Sequence, residues 1–574
     1  MSSSKVLSTV LLLLAGTVFL FKVFAGFLPH FVRVPPVKWR LRVNNAIKAA
    51  EEATNKIPAI NFGWKCGSVR RQMILASFKP SDYTNKVYGS RIHVGAEDRK
   101  NRESFVNRLV PSKRPYKRVI YGYFHPYCDA GGGGEKVLWK AVETTLQRDP
   151  NCVTAIYTGD NESSGSDILA NVAKRFGYQL DSSRVVFIYL KSRHWVDPQT
   201  WPRLTLLGQA LGSVILTIEA LYRMTPDMWC ETMGYPFSYP IVKWIARIPV
   251  ITYTHYPIIS SDMLDKLALM PGFRKSLRLR LKYLYWKSFM MLYRSTGRYV
   301  DIANTNSTWT QNHIKKIWLN CDERIIYPPC STENLVFEED TIKWSRENQA
   351  VIIAQFRPEK RHSLIISSYA SALKENLSEN EINLPKLIFI GSTRTEDDRS
   401  FVKELTKLCF EDYKIPQNLV DFKIDCEYNV MKDYLRKSTY GINAMWNEHF
   451  GIAVVEYAAS GLISLVHASA GPLLDIVVPW DTTSNQQVSD HTDRTRTGFF
   501  FKDPSDPDFA KGDSENYSSL KDTFLQIAKL SNEEKQVISQ RSKQCVLSKF
   551  SDDTFSKKWN RVLDDLPEID FSRQ

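Results

Sequence analysis

Residues 447–461 read Asn447-Glu448-His449-Phe450-Gly451-Ile452-Ala453-Val454-Val455-Glu456-Tyr457-Ala458-Ala459-Ser460-Gly461, with seven residues between the two carboxylates. Upstream, Tyr440 to Met445 has the pattern of a short buried strand. Downstream, Ile452 to Ser460 has the pattern of a helix ended by Gly461. Glu448 is therefore expected in a strand-to-helix loop and Glu456 within the helix. Gly451 lets a ligand approach the backbone, and the N–H groups that open the helix at Ile452 suit a phosphate. One carboxylate can accept hydrogen bonds from sugar hydroxyls and the other from ribose hydroxyls. The plainer alternative is a helix-start acid followed by a solvated helix glutamate. The glycines and apolar residues around Phe450 favour the ligand site.

Working outward, strands are expected at Ala350–Ala354, Lys386–Ile390, Val420–Ile424, Gly441–Met445 and Leu462–His467, each separated from the next by a helical stretch. Such alternation predicts a parallel sheet covered by helices on both faces, with ligands held beyond the carboxyl ends of its strands. The loops expected there are Gln355 to His362, Gly391 to Arg394 (offering Ser392 and Arg394) and Asn447 to Gly451. A second series lies upstream, with strands expected at Lys117–Tyr123, Val153–Tyr157, Arg184–Tyr189, Ser213–Ile218 and Val250–Tyr253. Its first strand runs into Gly131-Gly132-Gly133-Gly134 before an amphipathic helix. Glycine loses the most entropy on ordering, so four in a row suit a backbone that wraps a phosphate or sugar; a flexible surface loop is the alternative. The pattern is not the dinucleotide G-x-G-x-x-G.

At 574 residues the chain is too long for one core, and 43% hydrophobic with 24% charged residues is an ordinary globular composition. Val6 to Leu28 is apolar and long enough to cross a bilayer, which favours an uncleaved anchor over a cleaved signal peptide. Arg33 to Arg118 holds twenty Lys or Arg and six Asp or Glu, a surplus as large as that of the whole chain, +14. A basic flank after the anchor places that side in the cytosol and attracts anionic lipid; with an anchor present, nucleic acid is not the expected partner. Nine cysteines without C-x-x-C spacing read as reduced thiols.

Expelling a diphosphate from a sugar nucleotide requires cations where the charge develops. Arg357 and Lys360 lie in a strand-to-helix loop, with Arg361 as the alternative to Lys360; the plain reading is a solvated basic turn. His255 follows a buried strand in the first half. Asp506-Pro507-Asp508 formally matches a metal-binding D-x-D, but it sits in a Pro-rich loop after Phe499-Phe500-Phe501 with no strand expected there. It reads as a turn. No His/Cys cluster offers a metal site either, so catalysis without metal is expected. Pro271 to Arg298 carries eight Lys or Arg, among them Arg274, Lys275, Arg278 and Lys282, and no acid. With interleaved aromatics it suits a headgroup surface as well as it suits an ordinary surface helix. Trp201 to Pro249 is apolar enough to dip into a membrane, although Gln209, Glu219 and Arg223 argue against a full crossing.

The Glu-x7-Glu run resembles that of retaining glycosyltransferases with the GT-B fold, departing from their usual Glu-Gly-Phe-Gly at His449. That resemblance implies an α/β chain with two Rossmann-like domains facing a cleft, here with an N-terminal transmembrane helix. It implies catalytic roles for His255, Glu448, Arg357 and Lys360, and donor contacts from Glu456, Phe450, Gly451, Ile452, Ser392 and Arg394. The motifs 124–139, 253–257, 355–360 and 446–456 more specifically resemble the eukaryotic GDP-mannose:dolichol-linked oligosaccharide α-1,2-mannosyltransferases. This implies GDP-mannose as donor, a dolichyl-diphosphate oligosaccharide as acceptor and addition of the fourth and fifth mannoses. It further implies the cytosolic face of the endoplasmic reticulum membrane, its lipids, and earlier mannosyltransferases of that face as partners. The implied organisation is a membrane anchor (1–32), a basic juxtamembrane region (33–115), an acceptor- and membrane-facing domain (116–331), a linker (332–348), a donor domain (349–531) and C-terminal helices crossing back (532–574). The rivals are another lipid-linked transferase of this fold, either the preceding α-1,3/α-1,6-mannosyltransferase or the glycosylphosphatidylinositol-initiating enzyme, and a non-catalytic scaffold subunit.

Overall fold

Strands Ile120–Phe124 (β1), Val153–Thr158 (β2) and Val185–Tyr189 (β3) are buried at every residue. A strand buried on both sides belongs to a parallel sheet with helices on each face. The computed structural model describes residues 119–566, apart from 151, 269, 271, 320, 338–343, 380–382, 394 and 510–515, together with 16, 19, 20, 22, 23, 59–61 and 91–93. But for those upstream positions, the expected anchor and the basic stretch after it lie outside the described residues, as does Arg394. The chain forms two units: one of residues up to Thr305, His313–Arg324 and Lys558 onward, the other of Asn306–Asn312 and Ile325–Lys557.

In the first unit, β1 to β3 join Met228–Glu231 (β4), Val250–Thr254 (β5), Ile302–Thr305 (β6) and Asp322–Ile325 (β7) in the order β3-β2-β1-β4-β5-β6-β7. Pairings from β3 through β6 are parallel. The core centres on aromatic packing, with Phe124 stacked on Trp229 at 4.7 Å. The segment from Lys558 onward packs on the other face of β1, against Tyr123. Trp559 is fully buried, stacks on Tyr123 at 6.5 Å and donates its indole N–H to Thr145 at 3.1 Å.

The strand expected at Ser213–Ile218 is instead the middle of a helix, Thr205–Arg223. The β-branched residues of that stretch suggested a strand, but two glycines one helical turn apart decide otherwise. A Cβ at Gly208 would lie 2.2 Å from the Trp201 ring, and one at Gly212 would lie 2.0 Å from the Trp195 carbonyl oxygen. In a helix these positions stack one turn apart on one face, where both meet the adjacent Trp195 and Trp201, whose rings lie 5.7 Å apart. The sheet position is taken by β4, a shorter segment the sequence pattern did not reveal.

The second unit holds Glu347–Ile353 (β8), Lys386–Gly391 (β9), Val420–Ile424 (β10), Ser438–Asn443 (β11), Ile463–His467 (β12) and Gly498–Phe501 (β13) in the order β10-β9-β8-β11-β12-β13, all parallel. Phe499-Phe500-Phe501 is therefore an edge strand, contrary to the sequence reading. Phe499 and Phe501 are buried, and Gly498 lets the strand close on β12, since a Cβ there would meet the Ser464 carbonyl at 2.6 Å. In each sheet the strand order reverses beside the first strand, at β1/β4 and at β8/β11. Open parallel sheets bind ligands at such reversals, beyond the carboxyl ends.

Candidate active site

In the second unit the loops after β8 and β11 bring two of the expected residues together. Pro358 opens a short 3-10 turn, Pro358–Lys360, from which the Lys360 ammonium reaches the Glu448 carboxylate at 2.6 Å. Both side chains are partly buried, and Asn443 Nδ2 lies 3.5 Å from the same carboxylate oxygen. The loop holding Glu448 has two left-handed residues, Asn447 (φ 54°) and Gly451 (φ 103°), the second at the start of helix Ile452–Ala459. Glycine is the residue that accepts Gly451's conformation without strain. Arg357 is 40% exposed and turns toward Asp398, 3.8 Å away. Glu456 is half-buried on its helix, and its charge adds to burial in raising the Tyr428 pKa.

Three expected donor contacts fall differently. The Phe450 ring is in the core, packed on Tyr327 and Phe550, so only its backbone faces the loop. Ile452 also packs against that core, leaving its helix-start N–H as its relevant group. Ser392 lies in the loop after β9, beside a Thr393 hydroxyl that donates to Asp425 at 2.7 Å. His449 stacks on Trp309 at 4.5 Å with the rings 18° apart.

Arg361 points away from Glu448, into a different set of contacts. Its guanidinium donates to Asp506 at 2.6 Å and to Ser505 at 2.6 Å. Asp506 does sit in a turn, but its carboxylate is fully buried and also bonded to His467 at 2.8 Å. Burial opposes its charge; the His467 bond, the Asp503 N–H and Arg361 outweigh that and keep its pKa below the usual carboxylate range. Asp508 accepts the Trp446 indole N–H at 2.9 Å. Among the described residues no three His, Cys, Asp or Glu side chains gather as a metal-ligand group.

In the first unit, the corresponding sheet ends carry a cluster of which the sequence reading singled out the glycine loop 131–134 and His255. Buried His125, just after β1, bonds Thr232 at 2.7 Å and approaches Glu135 at 3.4 Å. Glu135 in turn accepts the Gly132 N–H, so one of the glycine-loop donors is already satisfied from within the helix Gly133–Arg148. Gly131 has a left-handed φ of 78°, which glycine adopts without strain, and the Arg175 guanidinium packs beside it. A Cβ on Gly134 would meet His255 Nε2 at 3.5 Å, which places the histidine against the start of that helix. Burial, then the nearby His125, push the His255 pKa down to about 4. His255 also lines a cavity of about 280 Å³ with Tyr256, Gly234, Gln209, Ser213 and Phe289. Glu231, the last residue of β4, is a buried carboxylate that accepts the Met233 and Gly234 N–H groups at 2.7 and 2.8 Å.

Arg274, Lys275, Arg278 and Lys282 are all exposed, the last two on helix Leu277–Thr296, where Lys282 lies 4.7 Å over the Trp286 ring. That helix buries only Phe289, Tyr293 and Thr296 and exposes Leu277, Leu281, Leu284, Met291 and Leu292. Helix Thr205–Arg223 is long and apolar enough to cross a membrane, yet Glu219 on it accepts the backbone N–H groups of Lys191 and Ser192. Its Leu211, Ile215, Ile218 and Tyr222 form one exposed stripe.

The family model described as ALG11 mannosyltransferase N-terminus matches residues 118–318, and that described as Glycosyl transferases group 1 matches residues 337–512. A Kluyveromyces lactis protein named GDP-Man:Man(3)GlcNAc(2)-PP-Dol alpha-1,2-mannosyltransferase is 57% identical over 96% of both chains. A Xenopus laevis protein of the same name is 41% identical over 66% of this chain and 78% of its own. Sucrose-phosphate synthase from Thermosynechococcus elongatus matches in fold with a TM-score of 0.53 at 13% identity, covering 78% of this chain and 98% of that one. Two Rossmann-like sheets, each ending in loops that bear charged and polar groups at its strand-order reversal, together with these relatives, establish the assignment: the chain is a GT-B glycosyltransferase and belongs to the ALG11 mannosyltransferase family.

Proposed function

We propose that this chain transfers mannose from GDP-mannose to dolichyl-diphosphate-linked Man3GlcNAc2, forming α-1,2 linkages with retention, and that it adds the fourth and fifth mannoses of the oligosaccharide. The near full-length identity of 57% to the Kluyveromyces lactis enzyme carries this reading. The Lys360–Glu448 pair supplies the chemistry. Lys360 and Arg357 offset the charge that builds on the departing GDP, while Glu448 accepts hydrogen bonds from mannose hydroxyls and Glu456 from the ribose. Lys360 takes this role rather than Arg361 because Arg361 is held by Asp506 and Ser505. Cations and helix-start N–H groups make a divalent ion redundant. In the first unit, His255 acts as a neutral imidazole that hydrogen-bonds a sugar hydroxyl.

The enzyme works at the cytosolic face of the endoplasmic reticulum membrane. A dolichyl-diphosphate acceptor keeps its diphosphate at headgroup level, so the protein must meet the bilayer with more than a tether. The exposed leucines and bases of helix Leu277–Thr296 and the apolar stripe of helix Thr205–Arg223 suit that contact. Earlier mannosyltransferases of the same face are its natural neighbours. Purified protein supplied with a panel of labelled sugar nucleotides and a synthetic lipid-diphosphate trimannosyl acceptor tests the reading. GDP-mannose should be the donor used, and transfer from another sugar nucleotide in its place would overturn it.

A further inference from the structure

The loop that carries Glu448 is tied to the loop that carries Lys360 through a single buried carboxylate. Asn447 donates its backbone N–H to Ser469 Oγ at 2.8 Å, and Ser469 lies 2.9 Å from His467 Nδ1. His467 Nε2 lies 2.8 Å from Asp506 Oδ2, and the other oxygen of Asp506 accepts from Arg361 at 2.6 Å. An ionised carboxylate only accepts, so His467 carries its proton on Nε2. In the neutral imidazole Nδ1 is then an acceptor, which turns the Ser469 hydroxyl hydrogen toward it and leaves the Ser469 lone pairs for Asn447. Every donor in the chain points toward Asp506. Asn447 has the uncommon left-handed conformation (φ 54°), and so does Arg361 (φ 56°), which immediately follows Lys360. Non-glycine residues hold such conformations only where their surroundings fix them.

We infer that Asp506 is a positioning residue for mannosyl transfer, which through Arg361 on one side and His467–Ser469–Asn447 on the other holds Lys360 and Glu448 at their 2.6 Å separation. This rests on the proposed roles of Lys360 and Glu448. Asp506 itself is fully buried and touches neither of them in the contacts described, so its effect is exerted through the two loops.

The test is a double-mutant cycle on the full-length enzyme with GDP-mannose and the lipid-diphosphate trimannosyl acceptor. Asp506→Asn keeps the shape but replaces one accepting oxygen with a donor. Ser469→Ala removes the hydroxyl that Asn447 needs, three hydrogen bonds away from Arg361. Each is expected to lower kcat about tenfold, and the double variant is expected to be no slower than Asp506→Asn alone, because linked positions fail to add. Asp506→Glu, which keeps the charge, is expected to recover part of the loss. Wild-type kcat in folded Asp506→Asn, or single effects that multiply in the double variant, would overturn the inference. Should Asp506→Asn not fold, the cycle is run between Ser469→Ala and His467→Gln, with the same two outcomes. Lys360→Ala and Glu448→Gln are measured alongside. If these two keep wild-type rates, it is the functional assignment that fails. If they lose activity while Asp506→Asn does not, only the positioning role fails.

Discussion

Replacing Lys360 by alanine probes the pair on which the chemistry rests. The ammonium lies 2.6 Å from Glu448 Oε2, with side-chain exposures of 25% and 17%. The pair is mostly buried, but Asn443 Nδ2 stays 3.5 Å from Glu448 when the ammonium is removed, so the variant should remain folded with a lowered Tm. Its effect on transfer is different. The cation is present to meet charge that grows as GDP departs, and a charge-assisted hydrogen bond contributes about 1.5–3 kcal/mol. At about 1.4 kcal/mol per factor of ten, kcat should fall roughly ten- to hundred-fold. Initial rates at saturating GDP-mannose, read by release of labelled lipid-linked product, measure this, with circular dichroism confirming the fold. Lys360→Arg should restore only part, since a planar fork does not occupy the place of a compact ammonium. A folded Lys360→Ala enzyme with wild-type kcat and KM would refute the assignment.

Arg357→Ala and Glu456→Ala are each expected to lose most transfer activity, about ten- to hundred-fold, while remaining folded; wild-type rates in either would remove that residue from the site. Activity should survive EDTA in detergent, and its loss followed by recovery with manganese would show that a metal-free mechanism is wrong. Protein lacking residues 1–28 should still sediment with anionic liposomes at low salt. Reversing Arg274, Lys275, Arg278 and Lys282 to Glu should weaken that binding, since each base near an anionic surface contributes about 1 kcal/mol; unchanged sedimentation would return the helix to an ordinary surface. His255, with a folded pKa of about 4 against an unfolded value of roughly 6.5, makes the unfolded chain bind the extra proton, so stability should fall as pH drops through that window. His255→Asn should flatten that slope, as read from Tm against pH.

The second unit was legible because its strands are apolar runs or, at Val420–Ile424, an apolar–polar alternation, with helical stretches between them. Val420–Ile424 matches the expected span and Lys386–Gly391 exceeds it by one residue. Legibility failed where a neighbour, not a pattern, decides. The helix Thr205–Arg223 is set by the Trp201 indole against Gly208 and the Trp195 carbonyl against Gly212, and the edge strand Gly498–Phe501 by the approach to Ser464 that Gly498 permits. Within the site, Glu448 and Lys360 were visible as charged residues in loops that follow strands. Asp506 was visible only as a turn residue. Its bonds to Arg361 and His467 join residues 145 and 39 positions away, a separation no local pattern records. His125 was hidden for the same kind of reason: its bond to Thr232 depends on β1 and β4 lying side by side. Phe450 shows the converse: its place in the motif sets it beside the loop, while its ring packs in the core on Tyr327 and Phe550.

The most direct measurement is the linkage of the product. Purified full-length protein is incubated with GDP-mannose and lipid-diphosphate-linked Man3GlcNAc2, and the released glycan is sized and digested with a mannosidase specific for α-1,2 bonds. The account predicts growth by two mannoses, both removed by that digestion. No extension in the presence of GDP-mannose, or an added mannose resistant to the digestion, would contradict it.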